Sequence, residues 1–287
     1  MARFLVMCVV AFIASIGNAT AQTLVERGAY LVNTVMACDG CHTPRGKSGF
    51  IMEKRFSGGS QVWDTPAYTV RGTNITPDRE TGIGAWSDDE IRRSLTEGIR
   101  RHGVPLAPQM PFAFYKILTP RDLDAVVAYL RTLAPSSRAS QPHDLGFPFG
   151  WRFLVTVWKW FFFTPGPYLP APGVSDIINR GAYLVQALGH CGECHTPRNF
   201  LGGPKRSRFL AGGKTPEGKD VPNLTPTRLK KWRDADFRDF LVTGVNSDGD
   251  VPAEAMGEVI RNTTSQLTPQ DLAALIAYLR SLPPLPE

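Results

Sequence analysis

The sequence is short of the features that place most chains quickly. Beyond its first 21 residues it has no long apolar run: the longest, Phe153–Phe163, is interrupted by Lys159. That falls well below the roughly 20 residues a spanning helix needs, so an integral protein with several spans is excluded. It has no block of like charge either. Its 32 Lys and Arg and 26 Asp and Glu are interspersed, with a formal charge of +6, which reads as solvated surface and not as a nucleic-acid footprint. Cysteine (5), histidine (5) and methionine (6) are all scarce in 287 residues, so every thiol, imidazole and thioether can be weighed singly. Glycine (27) and proline (24), in contrast, are plentiful, the mark of a loop-rich chain with short regular elements. An apolar fraction of 43% with 20% charged residues excludes wholesale disorder.

The N-terminus reads as a secretory signal peptide. Arg3 is its positive flank, Phe4–Ile16 its apolar core, and Ala19-Thr20-Ala21 a small-x-small cleavage site. Cleavage after Ala21 would start the exported protein at Gln22, and the expected compartment is a bacterial periplasm. Four cysteines then remain, all in two copies of one pattern: Cys38-Asp-Gly-Cys41-His42 and Cys191-Gly-Glu-Cys194-His195. Cys-x-x-Cys-His is the attachment signature of c-type haem. Two thiols three positions apart share one edge of a helical turn, where each can add to a porphyrin vinyl group, and the following imidazole is aimed at the iron. A disulfide framework gives no reason for a histidine after each pair. Zinc-binding pairs usually lie close in sequence, whereas these are 153 residues apart. A thioredoxin-like motif needs a βαβ setting, which is missing. One chance copy is expected at a frequency on the order of 10⁻³, so two copies imply two covalently bound haem c groups.

The duplication extends far beyond these motifs. Gly28-Ala-Tyr-Leu-Val32 recurs as Gly181-Ala-Tyr-Leu-Val185, and Cys41-His-Thr-Pro-Arg45 as Cys194-His-Thr-Pro-Arg198. Asn74-Ile-Thr76 matches Asn223-Leu-Thr225, Trp86 matches Trp232, and each half closes with Ala-Tyr-Leu-Arg, at 128–131 and 277–280. Of the methionines beyond the signal, Met36, Met52, Met110 and Met256, only Met110 and Met256 align between repeats, at the offset of 146 that relates the two tryptophans. A thioether is the soft, neutral sixth ligand expected for an electron-transfer haem, so these two are the candidates. His102 aligns with Asp248 and His190 with Ala37; an exposed or structural role suits both, and His143 carries no signal.

The regular elements read as helical. Residues 24–37 and 176–190 lead into the haem motifs with helical apolar spacing. Ser87 and Glu90 form a capping box opening a helix over about 88–100, and Thr119-Pro120 and Thr268-Pro269 place an N-cap before a first-turn proline. Gly28 and Gly181 would let the first helix of each unit approach the last, against Tyr129 and Tyr278. A backbone carbonyl at Pro44 or Pro197 is positioned in sequence to accept the imidazole Nδ1–H. Asn74, Thr76, Asn223 and Thr225 fit either haem propionates or plain turn chemistry. Between the units, Phe147, Phe149, Trp151, Phe153, Trp158, Trp160 and Phe161–Phe163 put nine aromatics within 17 positions. That segment either packs across both units or forms a docking surface for a partner or a membrane interface.

Arg27-Gly-Ala-Tyr-Leu-Val32, Asn74-Ile-Thr-Pro77, Gly82-Ile-Gly-Ala-Trp86, Met110-Pro111 and Arg180-Gly-Ala-Tyr-Leu-Val185 with His190-Cys191 make the chain resemble the cytochrome c subunits of membrane-associated bacterial alcohol and gluconate dehydrogenases. The resemblance covers nearly everything after the signal peptide. It implies an all-α fold of two tandem class I cytochrome c domains, at 22–139 and 174–287, joined by the aromatic-rich connector 140–173. It also implies His42 with Met110 and His195 with Met256 as axial pairs. Many family members have three haem units and a C-terminal anchoring tail, where this pattern has two units. The function expected is outer-sphere electron transfer from a partner dehydrogenase to an oxidase or cytochrome of the respiratory chain. No nucleic acid is expected as a partner, and peripheral membrane association would run through Phe147–Phe163. The competing reading is a dihaem enzyme, a peroxidase or thiosulfate-oxidising cytochrome, which needs an open iron position and an acid-base group. A haem-based sensor would need an output module, and none is recognisable.

Overall fold

The computed structural model describes residues 22–59, 61–65, 68–107, 109–147, 150–215, 218–246, 249, 251–252 and 254–286; the expected signal peptide and Phe149 lie outside them. In the first repeat, Thr23 and Glu26 close a capping box that opens α1 (Leu24–Tyr30). The chain continues through α2 (Cys38–His42), α3 (Asp88–Glu97), α4 (Phe112–Tyr115) and α5 (Pro120–Thr132). The connector holds α6 (Phe153–Phe162). The second repeat contributes α7 (Asp176–Tyr183), α8 (Gly192–His195), α9 (Pro226–Leu229), α10 (Asp234–Thr243), α11 (Glu254–Asn262) and α12 (Pro269–Ser281). The fold is mostly α. Three small antiparallel sheets accompany the helices among the described residues: β1 (Arg45–Gly46) with β2 (Gly49–Phe50), β3 (Gln61–Thr65) with β4 (Tyr68–Arg71) and β5 (Asp144–Leu145), and β6 (Ala211–Lys214) with β7 (Asp220–Asn223).

Local chemistry explains the helix ends. The Ser87–Glu90 capping box is formed, but α3 stops at Glu97, short of residue 100, because Gly98 turns left-handed at φ 64°. Thr119 and Thr268 cap α5 and α12 through the backbone N–H of Asp122 and Asp271. The leading helices α1 and α7 each widen into a π turn, over Leu31–Val35 and Leu184–Leu188. The turns close through Met36 N–H to the Leu31 carbonyl at 2.8 Å and Gly189 N–H to the Leu184 carbonyl at 2.7 Å. This widening, of a kind that often marks a functional site, directly precedes each Cys-x-x-Cys-His.

Glycine sets the central helix crossing of each repeat. A Cβ on Gly28 would sit 1.9 Å from the Ala125 carbonyl oxygen and 2.7 Å from Tyr129 Cβ. One on Gly181 would sit 1.9 Å from the Ala274 oxygen and 2.6 Å from Tyr278 Cβ. Around these crossings one apolar cluster runs through both repeats, taking in Leu31, Val32, Val126 and Leu130 with Leu184, Val185, Leu275 and Leu279. Each such side chain contributes on the order of 1.5–3 kcal/mol on burial, so the repeats are joined as parts of one core.

Polar contacts fix their mutual orientation. Arg27 pairs with Asp122 inside the first repeat, and Tyr183 of the second repeat donates to the same carboxylate at 2.9 Å. Reciprocally, Arg180 pairs with Asp271, and Tyr30 of the first repeat donates to it at 2.8 Å. The connector packs on both repeats, as one reading of its aromatics expected. β5 pairs with β4, Lys159 donates to the Glu97 carbonyl, and Trp158 Nε1 donates to the Leu201 carbonyl at 3.1 Å. Phe147, Trp151, Phe153, Trp160 and Phe161 nonetheless stay exposed.

Candidate functional site

Each Cys-x-x-Cys-His lies on a single helical turn entered through a left-handed residue, Ala37 at φ 53° before α2 and His190 at φ 39° before α8. A non-glycine residue in that region costs roughly 1–2 kcal/mol. The same strain at aligned positions means the turn geometry is kept for a purpose beyond folding. Glycine then admits a strand against each turn: a Cβ on Gly72 would lie 1.6 Å from the Cys41 carbonyl oxygen, and one on Gly213 2.4 Å from that of Cys194.

The segment just past β4 and strand β7 thereby bring a backbone carbonyl to each histidine. His42 Nδ1 is 2.7 Å from the Thr73 oxygen, and His195 Nδ1 is 2.8 Å from the Pro222 oxygen. These are the acceptors, in place of the expected Pro44 and Pro197 carbonyls. Those two are taken by Ile51 N–H and Lys205 N–H, both at 2.8 Å, as the chain turns back after the motif. A carbonyl on Nδ1 makes that nitrogen the protonated one and leaves a lone pair on Nε2, which has no hydrogen-bond partner among the described residues. Both rings are buried. Burial lowers both pKa values, against the opposing hydrogen bonds to Thr73 and Pro222, so the imidazoles are neutral and fit to ligate.

The four cysteines form no disulfide. Burial pushes the Cys41 thiol up to about 11 and the Cys191 thiol to about 12. Among the described residues no three His, Cys, Asp or Glu side chains converge on one point. What each repeat offers is a thiol pair beside a neutral imidazole with its outer nitrogen open. That donor set fits a porphyrin attached through two thioethers with its iron on the histidine.

The aligned methionines occupy different local structure. Met110 lies in the loop before α4 and packs, half-buried, on the apolar cluster. Met256 is half-buried within α11. Pro111, the N-cap residue of α4, follows Met110 and holds it outside the helix, whereas Gly257 follows Met256 and the helix runs on. Asn74 lies in a loop and Asn223 ends β7, and both order the backbone around them. Asn74 Nδ2 donates to Thr81 and to the Ser136 and Arg138 carbonyls, its Oδ1 accepts from Thr76, and Asn223 Oδ1 accepts from Thr225 in the same way. His102 is exposed. His190 is half-buried with its ring 5.6 Å from that of Tyr115, and His143 accepts from Arg71 N–H at 3.2 Å.

Two contacts that sequence reasoning missed tie the sites together. Tyr115, buried five residues after Met110, donates to the Met36 carbonyl at 3.0 Å just ahead of Cys38 and faces His190 just ahead of Cys191. Arg45 crosses between repeats to grip both carboxylate oxygens of Glu258, at 2.5 and 2.6 Å, on the helix that carries Met256. Its repeat partner Arg198 instead pairs with Glu193. The position aligned with Glu193 is Gly40, so the first repeat does not repeat the Arg198–Glu193 pair. That substitution was the visible signal.

A profile of the cytochrome c family matches residues 25–134 and again 178–283. A diheme cytochrome c-type protein of Cereibacter sphaeroides is 40% identical over 250 residues, 86% of this chain and 82% of that one. The cytochrome c subunit of a quinone alcohol dehydrogenase of Gluconacetobacter polyoxogenes is 35% identical over 94% of this chain. The cytochrome subunit of a fructose dehydrogenase of Gluconobacter japonicus is 36% identical over 90% of it. The chain spans only 59% and 52% of the lengths of those last two. With two matched domains and a duplicated thiol–imidazole site, the chain belongs to the cytochrome c family, as an electron-transfer protein with two covalently bound haem c groups and not a catalytic unit.

Proposed function

We propose that this chain is the electron-transfer partner of a dehydrogenase, taking electrons from it by outer-sphere transfer and passing them towards the respiratory chain in the periplasm. In this reading residues 1–21 are removed, 22–139 and 174–287 are the haem domains and 140–173 the connector. Cys38 and Cys41 attach one haem and Cys191 and Cys194 the other, with His42–Met110 and His195–Met256 as axial pairs. Bound c-type haem supplies a one-electron couple whose potential a methionine ligand raises. The protein's part is to fix the imidazoles, exclude water and hold the two sites in one core. The observation that carries the reading is the pair of buried, carbonyl-anchored imidazoles with open Nε2, repeated on both sides of a shared apolar interior. The names of the relatives support a dehydrogenase as donor. Peripheral membrane association through Phe147–Phe163 belongs to the same reading.

Optical and EPR spectra of the purified protein, oxidised and half-reduced, with and without peroxide, test it. Two low-spin His/Met haems unchanged by peroxide are expected. A high-spin or peroxide-reactive haem would overturn the carrier reading in favour of a dihaem peroxidase or related enzyme.

A further inference from the structure

The end of α6 joins exposed aromatic surface to a group of cations. Trp160 and Phe161 are 76% and 72% exposed. Beside them, Trp158 Nε1 donates to the Leu201 carbonyl, and the Phe162 ring covers Gly203. Both contacts bring in the second repeat's loop, where Phe200 is 95% and Leu201 53% exposed. Soluble proteins rarely show contiguous apolar surface of this kind without a use for it.

The charges around it are mainly positive, with the Glu97 carboxylate close to Lys159. Lys116 and Lys159 place their ammonium groups 5.1 and 5.2 Å from the Phe163 ring centre, and Arg206 donates to the Phe162 carbonyl at 3.1 Å. Lys205 is exposed next to it. Lys116, Lys205 and Arg206 have no acidic partner among the described residues, and no Asp or Glu occurs over 146–175 or 195–216. Burial, with the Arg206 charge adding to it, lowers the Lys116 pKa to about 8, as expected of a half-buried cation beside a like charge.

We infer that this face, Trp160–Phe161 and Phe200–Leu201 with Lys116 and Arg206, docks on the surface of an anionic lipid bilayer. The aromatics would enter the interfacial layer and the two cations would take lipid phosphates. Charge complementarity selects this occupant, since aromatic side chains interleaved with Lys and Arg are what anionic interfaces hold. The ten-residue α6 is too short to span, and no described helix is long and apolar enough to do so, so the helix would lie along the surface. The inference rests on the membrane part of the function proposed above and extends the contact from the connector into the second repeat.

The test is co-sedimentation of the full-length holoprotein with phosphatidylcholine vesicles and with vesicles carrying ~30% phosphatidylglycerol. Binding to the anionic vesicles should exceed binding to the neutral ones at least about tenfold and weaken with salt. The double variants W160S/F161S and K116Q/R206Q should each lose about tenfold or more, as should F200S, whose ring touches too little to affect folding. Haem spectra of the same samples separate the outcomes. Intact low-spin spectra without anionic-vesicle binding, equal binding to both vesicle types, or variants that bind like the parent would overturn the lipid assignment while leaving the electron-carrier reading standing. Altered spectra in the parent protein would instead count against the carrier reading.

Discussion

Tyr30 and Asp271 lie 241 positions apart and share a hydrogen bond of 2.8 Å across the interface between repeats. Its mirror image joins Tyr183 to Asp122 at 2.9 Å. Each tyrosine oxygen also accepts from the capping threonine of the opposite helix, Thr268 N–H at 3.2 Å and Thr119 N–H at 3.0 Å. The interface is thereby written into the N-caps of the two closing helices.

Removing either phenol tests that lock. Tyr30→Phe and Tyr183→Phe should each cost about 1 kcal/mol of stability, read by chemical denaturation. Asp271→Ala strands the Arg180 guanidinium, which is largely buried, and should cost about 3 kcal/mol. Equal losses for the Phe and Ala variants would show that the ion pair contributes little.

The lock should also respond to pH at both ends. Burial raises the Asp271 pKa, but the hydrogen bonds from Arg180 and Tyr30 outweigh it and leave the carboxyl below its usual value. Its contribution is therefore complete above about pH 4 and is lost as pH falls through the folded value. Burial raises the pKa of Tyr30 and Tyr183, so their contribution is complete below about pH 10 and is lost as pH rises. Thermal melts across pH should flatten in the D271N variant at the acid end and in the Y30F/Y183F double variant at the alkaline end.

The helix crossings admit no larger residue. Gly28→Ala and Gly181→Ala would press a methyl group into a backbone carbonyl, and each should cost about 3 kcal/mol through separation of the helices. Denaturation midpoints measured beside a surface Gly→Ala control give the comparison. Gly46 serves as that control: it is exposed, and an added methyl there would make only ordinary contact with Ile51, at 3.4 Å and beyond.

At the haem sites the expected effects are stoichiometric. C38A/C41A should yield protein with one covalent haem where the parent has two, counted by the pyridine haemochrome assay. Met110→Leu and Met256→Leu should each leave haem content unchanged, turn one haem high-spin and lower its potential. A variant that keeps both low-spin signals would show its methionine to be core filling.

The chemistry at the attachment turns was legible because it is covalent and local: five consecutive residues carry it, and duplication repeats it. The glycine crossings, though long-range, were legible because the same glycine and the same tyrosine recur at matching places in both repeats. What sequence could not reach was set by long-range folding. The imidazole acceptors lie 31 and 27 residues from their histidines, one just past β4 and the other within β7, where short-range reasoning chose the nearer prolines. The Tyr–Asp contacts use residues inside recognised repeats, yet which repeat each side chain would serve depends on docking. The differing settings of Met110 and Met256 follow from Pro111 against Gly257, a difference visible in sequence but silent about which loop would become helix.

The exchange of tyrosines between repeats has a consequence for ancestry. Tyr30 aligns with Tyr183 and Asp122 with Asp271, so each repeat offers the other the same donor and the same acceptor. That is the contact rule of an isologous twofold dimer, in which one patch serves as its own complement. A single repeat bearing both residues would already be self-complementary, and a haem protein of half this length could pair through this surface before any gene fusion. The connector would then have been added to an interface that was already closed, turning an equilibrium between subunits into a permanent one.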